Sequence, residues 1–421
     1  MQAKGFGVTD VGRQREHNED NLLVDDELGL YIVCDGIGGQ AAGEVASNTA
    51  TQTIHDVVLS RRAEYEQGAT AQARLDALCL LLAQAIQAAC AAVYDLALTK
   101  REYYGMGTTV TAVVMLGHQA VMGHVGDCRL YLQRGRSLHQ LSQDHTFVQE
   151  LIRTGVLKPE QAEGHPYSNV LTRSLGKDRH VQVDTLVVDL MPEDQLLLCS
   201  DGLGRYLGDE ERLLLQHLSR REAPEAIVQD LVSYANERGG VDNITVLLVR
   251  PKLQGEEAVS KTQELKLRLG ALQAIPLFRD FPLEHLARLL YVVTEASYLE
   301  GEVIIHEDDA CSGMAILLEG RVLVEREGTR LAELPAMTHF GEISCIYRRP
   351  ATATITADAP CRCLWLGRDD VDKLIQHNPR LGLLLLRNLG EQLCQRLDHA
   401  NHQLVGAIPK TLIEIDPSAL F

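Results

Sequence analysis

The first half of the chain is punctuated by short apolar runs that end at Gly or Asp: Leu30–Cys34, Val110–Leu116, Leu130–Leu132, Leu196–Cys199 and Ile244–Val249. Runs of this length, bounded by turn residues, predict buried strands. Between them the apolar spacing turns helical, over Ala41–Leu59, Leu75–Leu98 and Glu222–Glu237. Neighbouring strands such as Val110–Leu116 and Gln119–Gln133, mixed with separate helices, favour α+β layers over strict βαβ alternation. Pro251 stops the last strand of this half. From 252 to 274 charged residues alternate with Leu265, Leu267, Leu269 and Leu272, which predicts a linker helix. Beyond it a short helical segment, Leu283–Val292, leads into brief strands separated by Gly301, Gly320, Gly328 and Gly341. That rhythm predicts a small barrel or jelly roll. A Leu-rich helical stretch from Asp370 to about His402 closes it. The expected organisation is therefore a domain over 1–251, a linker helix over 252–274, a second domain over 275–403 and a tail over 404–421.

With 421 residues, two or three domains are expected. The 45% hydrophobic and 23% charged content is that of a globular chain. Acidic residues number 58 against 40 basic, a formal charge of −18, which disfavours nucleic acid and anionic membrane as partners. The N-terminus has no apolar signal region, and Asp76, Gln84, Gln87 and Asp95 interrupt the greasiest stretch. A buried Ala/Leu-rich helix is expected there rather than a membrane span. The ten cysteines form no paired CxxC knuckles, so neither a zinc site nor a disulfide framework is indicated, and the cytoplasm is the expected compartment.

The candidate chemistry lies in aspartates at the ends of the predicted strands. Leu30–Cys34 runs into Asp35-Gly36-Ile37-Gly38-Gly39, Leu196–Ser200 into Asp201-Gly202, and Val241-Asp242-Asn243 opens the strand from Ile244. Gly126-Asp127 sits between two more apolar runs. Any single Asp-Gly pair is also an ordinary turn. Several together, each on a buried run, would repel one another unless cations neutralise them, and oxygen-only ligands select hard ions such as Mg2+ or Mn2+. The cluster Asp10–Asp20 alone would pass as a solvated loop.

Taken together, Asp10-x-Gly12-x-x-Arg15-x-x-Asn18-Glu19-Asp20, Asp35–Gly39, Gly107-Thr108-Thr109, Gly126-Asp127-x-Arg129, Asp201-Gly202 and Gly240-Val241-Asp242-Asn243 resemble the metal-dependent (type 2C) Ser/Thr protein phosphatases, in the spacing of their bacterial branch. The resemblance covers about residues 1–251. It implies a four-layer α/β/β/α sandwich with a binuclear Mn2+/Mg2+ centre. Asp35 is then expected to bridge both ions, with Glu19 and the Gly36 carbonyl on one, Asp201 and Asp242 on the other, and Asp20 orienting water. Arg15 is expected to grip the phosphoryl group of a phosphoprotein substrate, whose phosphoserine or phosphothreonine is attacked by metal-bound hydroxide. Two positions depart from the pattern. Ile37 stands where eukaryotic members have a His, and Arg205 stands where many members have an Asp that joins Asp127 at a third ion. Arg205 argues against that third ion and is expected to pair with Asp127 or touch substrate. Residues between His145 and Leu175 resemble the substrate-contacting flap.

Cys199 and Arg205 have the spacing of a cysteine-dependent phosphatase loop, but Asp201 between them would repel phosphate. A buried, inert thiol is expected.

Residues 275–403 resemble a cyclic-nucleotide-binding domain, through Leu299–Ile304, Met314–Val324, Phe340-Gly341-Glu342-Ile343-Ser344 and Arg349-Pro350-Ala351-Thr352-Ala353-Thr354. The resemblance implies a β-jelly-roll with flanking helices, with Gly341 and Glu342 as contacts of a cyclic nucleotide. The arginine expected to pair with the cyclic phosphate is replaced by Ala351, leaving Arg348 or Arg349 to reach in. The whole is expected to be a phosphatase regulated by its C-terminal domain, opposing a Ser/Thr kinase, with oligomerisation through that domain. The rival expectation is a phosphatase-fold sensor or scaffold without turnover.

Overall fold

The computed structural model describes residues 3–38, 42–158, 161–162, 164–207, 211–220, 222–253, 255–310, 313–343, 349–377 and 379–407. Gly39, Ala41, Ser344, Arg348 and the tail beyond Ala407 therefore lie outside the described residues. The chain forms two compact units, one of residues 1–268 with 282–292, the other of 269–281 with 293–421. The segment Leu283–Val292 is helical as expected, but it packs within the first unit, on the strand Asp184–Asp189. The expected linker helix spans Glu256–Ala274, and the division between units falls within it, after Arg268.

The first unit contains two five-stranded antiparallel sheets. One orders its strands Ala3–Asp10, Ile244–Pro251, Gln195–Cys199, Arg129–Arg134 and Ser137–Gln140. The other runs Asp184–Asp189, Gln119–Val125, Val110–Leu116, Leu30–Cys34 and Asn21–Asp25. The sheets lie face to face, and helices cover the outer face of each. Leu30–Cys34 is buried along its whole length because both its faces are covered. Leu30, Ile32 and Cys34 join the helix-side core, while Tyr31 and Val33 alternate to the opposite face. A side chain at Gly5 of the facing sheet would meet the Tyr31 ring at 2.6 Å, so that glycine makes room for the ring between the sheets. This is the four-layer arrangement that the resemblance implied.

The greasiest stretch folds as the helix Ala71–Ala97, capped where the Thr70 hydroxyl accepts from the Ala73 N–H at 3.0 Å. By length and composition alone it is apolar enough to cross a membrane. Here Leu75, Leu78, Leu82, Ile86 and Val93 are buried against the sheet instead, each contributing about 1.5–3 kcal/mol. Gly123 lets the helix approach, since a Cβ there would meet Ile86 at 2.6 Å.

In the second unit two four-stranded antiparallel sheets enclose Ile305, Ala315, Leu317, Phe340, Ile355 and Cys363. The sheets run Thr294–Tyr298, Cys361–Gly367, Gly313–Glu319, Thr338–Phe340, and Val303–Ile305, Thr354–Ala357, Arg321–Arg326, Thr329–Pro335. The expected jelly roll and its helices are present, the latter as Arg368–His377 and Pro379–Ala407. The second helix runs four residues into the segment expected as tail.

Candidate metal centre

The acidic residues expected to hold metal lie at one end of the double sheet. Glu19 precedes the strand Asn21–Asp25, Asp35 follows Leu30–Cys34, and Asp127 lies between Gln119–Val125 and Arg129–Arg134. Asp201 follows Gln195–Cys199, and Asp242 precedes Ile244–Pro251. With Arg15, Gly36 and Arg205 they line one cleft of about 760 Å3. Tyr94, Leu98, Tyr104 and Met106 add apolar and aromatic surface to its lining.

The motif glycines are explained by backbone crowding. A Cβ on Gly202 would lie 1.8 Å from the Asn243 carbonyl oxygen, and one on Gly36 only 2.3 Å from that of Gly43. No side chain fits at either point, so the glycines let Asp35 sit against the first turn of the helix Ala42–Ser60 and Asp201 against the segment before Ile244. Around them a hydrogen-bond scaffold holds the acids. The Asp35 carbonyl accepts from Thr109 N–H at 2.9 Å and from the Thr108 hydroxyl at 2.8 Å, which gives the Gly107-Thr108-Thr109 motif its role. The Asn243 side chain donates to the carbonyls of Val11 and His17, both at 2.9 Å, and accepts from Glu19 N–H at 2.8 Å. It fastens the N-terminal acidic loop to the strand end opposite. Gly43 N–H donates to Glu19 Oε1 at 3.2 Å at the start of the helix Ala42–Ser60.

Asp20 is buried, and its Oδ2 accepts from Ser200 Oγ and Thr245 Oγ1, each at 2.7 Å. Arg129 forks onto Asp144 through Nε at 3.0 Å and Nη2 at 2.7 Å, and donates to the Gly204 carbonyl at 3.4 Å. The loop expected as the flap is tied at both ends. His145 N–H donates to the Gly126 carbonyl at 2.7 Å, and Gly126 N–H to His145 Nδ1 at 3.0 Å. At the far end Arg173 reaches Asp184 at 2.7 Å, and Asp184 also lies 3.2 Å from His145 Nε2. Asp144, Arg173 and Asp184 were missed in the sequence because their partners are 11 to 39 residues away.

Gathering these carboxylates has an electrostatic cost. Burial, then Asp20, Asp201, Asp127 and Asp242, push the Asp35 pKa well above its usual range. Burial first, and neighbouring carboxylates after it, raise Asp20 and Asp127 to about 7 despite their hydrogen bonds. Burial also raises Glu19, opposed by the Gly43 N–H and by Arg15. Asp20 Oδ1 and Asp201 Oδ1 are buried with no hydrogen-bond partner among the described residues. Oxygen-only donors, mutual repulsion and orphaned carboxylate oxygens fit hard divalent cations. As they stand, no three acidic, His or Cys side chains among the described residues enclose one point as ligands. Two guanidiniums stand among them instead. Arg15 Nη2 is 2.8 Å from Asp242, and Arg205 Nη2 is 2.7 Å from Asp201 and 3.2 Å from Asp242. Arg205 thus pairs with Asp201 and Asp242, where the sequence suggested Asp127 or substrate.

Cys199 is fully buried, and burial pushes its thiol up to about 12, so it offers no thiolate near neutral pH.

In the second unit Gly341 adopts φ +82° and Glu342 is buried, while Arg349 is exposed. Ala351 is 5% exposed and belongs to the core. Its N–H donates to the Asp309 carbonyl and its carbonyl accepts from Asp308 N–H, both at 2.9 Å.

A family model described as protein phosphatase 2C matches residues 12–245, and one described as a cyclic nucleotide-binding domain matches residues 295–378. The serine/threonine phosphatase stp of Listeria monocytogenes is 40% identical over 248 residues, 58% of this chain and 94% of its own. The protein phosphatase PhpP of Streptococcus pneumoniae is 34% identical over 247 residues, 58% of this chain and 95% of its own. Among solved structures, the Mycobacterium tuberculosis serine/threonine phosphatase PstP/Ppp superposes with a TM-score of 0.53 at 30% identity, over 60% of this chain and 99% of that one. A structure of the PstP catalytic domain in complex with two manganese ions superposes with a TM-score of 0.50 at 31% identity, over 59% of this chain and 98% of that one.

Proposed function

The chain belongs to the protein phosphatase 2C family, and from that premise we propose that its acidic cleft hydrolyses phosphoserine and phosphothreonine in proteins with two Mn2+ or Mg2+ ions held there. The observation that carries this reading is the convergence of Glu19, Asp35, Asp127, Asp201 and Asp242 on one cleft with Arg15 at its edge. Asp35 would serve both ions, Glu19 and the Gly36 carbonyl one of them, and Asp201 with Asp242 the other. When bound, such a pair lowers the pKa of a shared water and offsets the negative charge of in-line displacement.

The chain's own residues do the rest. Asp20, fixed by Ser200 and Thr245, orients water beside the cleft. Arg15 is 47% exposed, so its guanidinium can leave Asp242 and fork onto two phosphoryl oxygens. Water oxygen bonds to phosphorus while the bond to the serine or threonine oxygen breaks, and the leaving oxygen takes a proton. Ile37 lines the cleft without an acidic proton, so that proton comes from water rather than from this side chain. Cys199 takes no part.

The C-terminal domain is read as regulatory, with effects on the phosphatase unit, on oligomerisation or on docking near a kinase. Its cassette keeps Gly341 and Glu342, but the position for a phosphate-pairing arginine is a core alanine. A cyclic phosphate would meet no guanidinium from that position, so this cassette is not expected to hold cAMP or cGMP.

The test is hydrolysis of a phosphothreonine peptide by the full-length protein, with Mn2+ against EDTA. Mn2+-dependent turnover is expected, and turnover that survives EDTA would overturn the reading.

A further inference from the structure

Arg205 caps the short helix Asp201–Gly204, and the i,i+4 spacing lays its side chain back over Asp201. Its Nη2 donates to Asp201 Oδ2 at 2.7 Å and to Asp242 Oδ2 at 3.2 Å. One positive charge thus bridges two carboxylates 41 residues apart in the chain, one just after the strand Gln195–Cys199 and the other just before its sheet neighbour Ile244–Pro251. Asp201 and Asp242 are about as exposed as Arg205 itself, so neither is sealed off from solvent by the pairing. These are the two carboxylates assigned above to one divalent cation. A guanidinium and a divalent ion cannot both sit between them, because they compete for the same oxygens and repel each other.

We propose that Arg205 is a built-in counter-ion that competes with the divalent cation for Asp201 and Asp242, so that loading of that one site requires its guanidinium to swing out. The inference rests on the metal-dependent phosphatase reading and adds a chain-specific control on it. With the ion absent from that site, Arg205 screens the repulsion among the carboxylates. With the ion present, the displaced side chain is a mobile cation at the cleft, on a stem long enough to move without disturbing the helix.

Calorimetric titration of the full-length protein with MnCl2, wild type against Arg205→Gln, tests this. Glutamine keeps most of the volume and removes the charge. The variant is expected to bind Mn2+ about tenfold more tightly at one site, the size of a typical coupling between linked ligands. Thermal unfolding supplies a second readout. The variant should unfold at lower temperature than wild type in EDTA, and the difference should vanish or reverse in saturating Mn2+. A purely structural arginine would give the same deficit in both conditions. Equal or weaker Mn2+ affinity in the variant, or a deficit that Mn2+ does not change, overturns the proposal. Tighter binding by the variant with no peptide hydrolysis by either protein would support it while overturning the phosphatase reading. Absence of Mn2+ binding in both proteins would overturn the two together.

Discussion

The acidic cleft of the first unit and the cassette of the second make opposite use of charge. In the cleft, at least four buried or half-buried carboxylates are held together against their own repulsion by backbone clasps such as Thr108–Asp35 and by Asn243. That arrangement is unfavourable unless cations join it. In the cassette Gly341 and Glu342 are kept, yet Ala351, at the position where the resemblance places a charge, puts a methyl group in the core. Each region matches a family model, and the two differ in what stands at the position of charge: carboxylates gathered in the cleft, an alanine in the cassette. Function is written in the site and not in the fold that carries it.

The largest expected effect is at Asp35. Asp35→Asn should lower turnover of a phosphothreonine peptide in Mn2+ by about a thousandfold or more, a loss of about 4 kcal/mol in the barrier. Retained turnover would mean that the hydrolysis does not run through Asp35 and the ions assigned to it. The converse change is Ala351→Arg. Forcing a guanidinium into the core beside Phe340 and Ile355 should destabilise the second unit by about 3 kcal/mol, read from urea denaturation, and should confer no binding of cAMP in calorimetry. Tight cAMP binding by this variant would show that the cassette is complete but for one residue.

A smaller effect is expected at Asp184. Burial works to raise this carboxyl, but the His145 hydrogen bond and the charges of His145 and Arg173 outweigh it and hold the pKa well below the usual range. Such a group stabilises the fold fully above the unfolded value of about 4, and the benefit fades as pH falls through its lower folded value. Asp184→Asn should therefore cost about 1–2 kcal/mol at pH 7, and the gap in urea midpoints should narrow steadily on acidification below pH 4. A gap independent of pH would assign the role to shape rather than charge. The smallest effect is at Cys199, where substitution by alanine should leave turnover within about twofold of wild type at a stability cost of about 1 kcal/mol.

Much of this was legible along the chain. The strands Leu30–Cys34 and Val110–Leu116 begin and end where the apolar runs do, because every residue of such a strand is covered on one face or the other. The acids at the strand ends are local signatures too, since an Asp followed by Gly after a buried run is visible without a partner. The reason for the glycine was not visible. Gly202 is required by the Asn243 carbonyl, which approaches from a segment 41 residues later. Asp144, Arg173 and Asp184 carried no motif, being surface-like charges whose partners lie on other strands and loops.

The α+β elements, the brief strands of the second unit and the Asp-Gly pairs at strand ends can be read from short stretches of chain, because periodicity and turn chemistry are local, whereas the gathering of the acids in one cleft was implied by the resemblance of the motifs to a known family. That Arg205 lies between Asp201 and Asp242, that Ala351 is a core residue, and that Leu283–Val292 packs within the first unit emerge only from the folded chain. Each depends on which distant segment fills the space beside a side chain. For a charge, that neighbour sets whether it is neutralised, exposed or repelled.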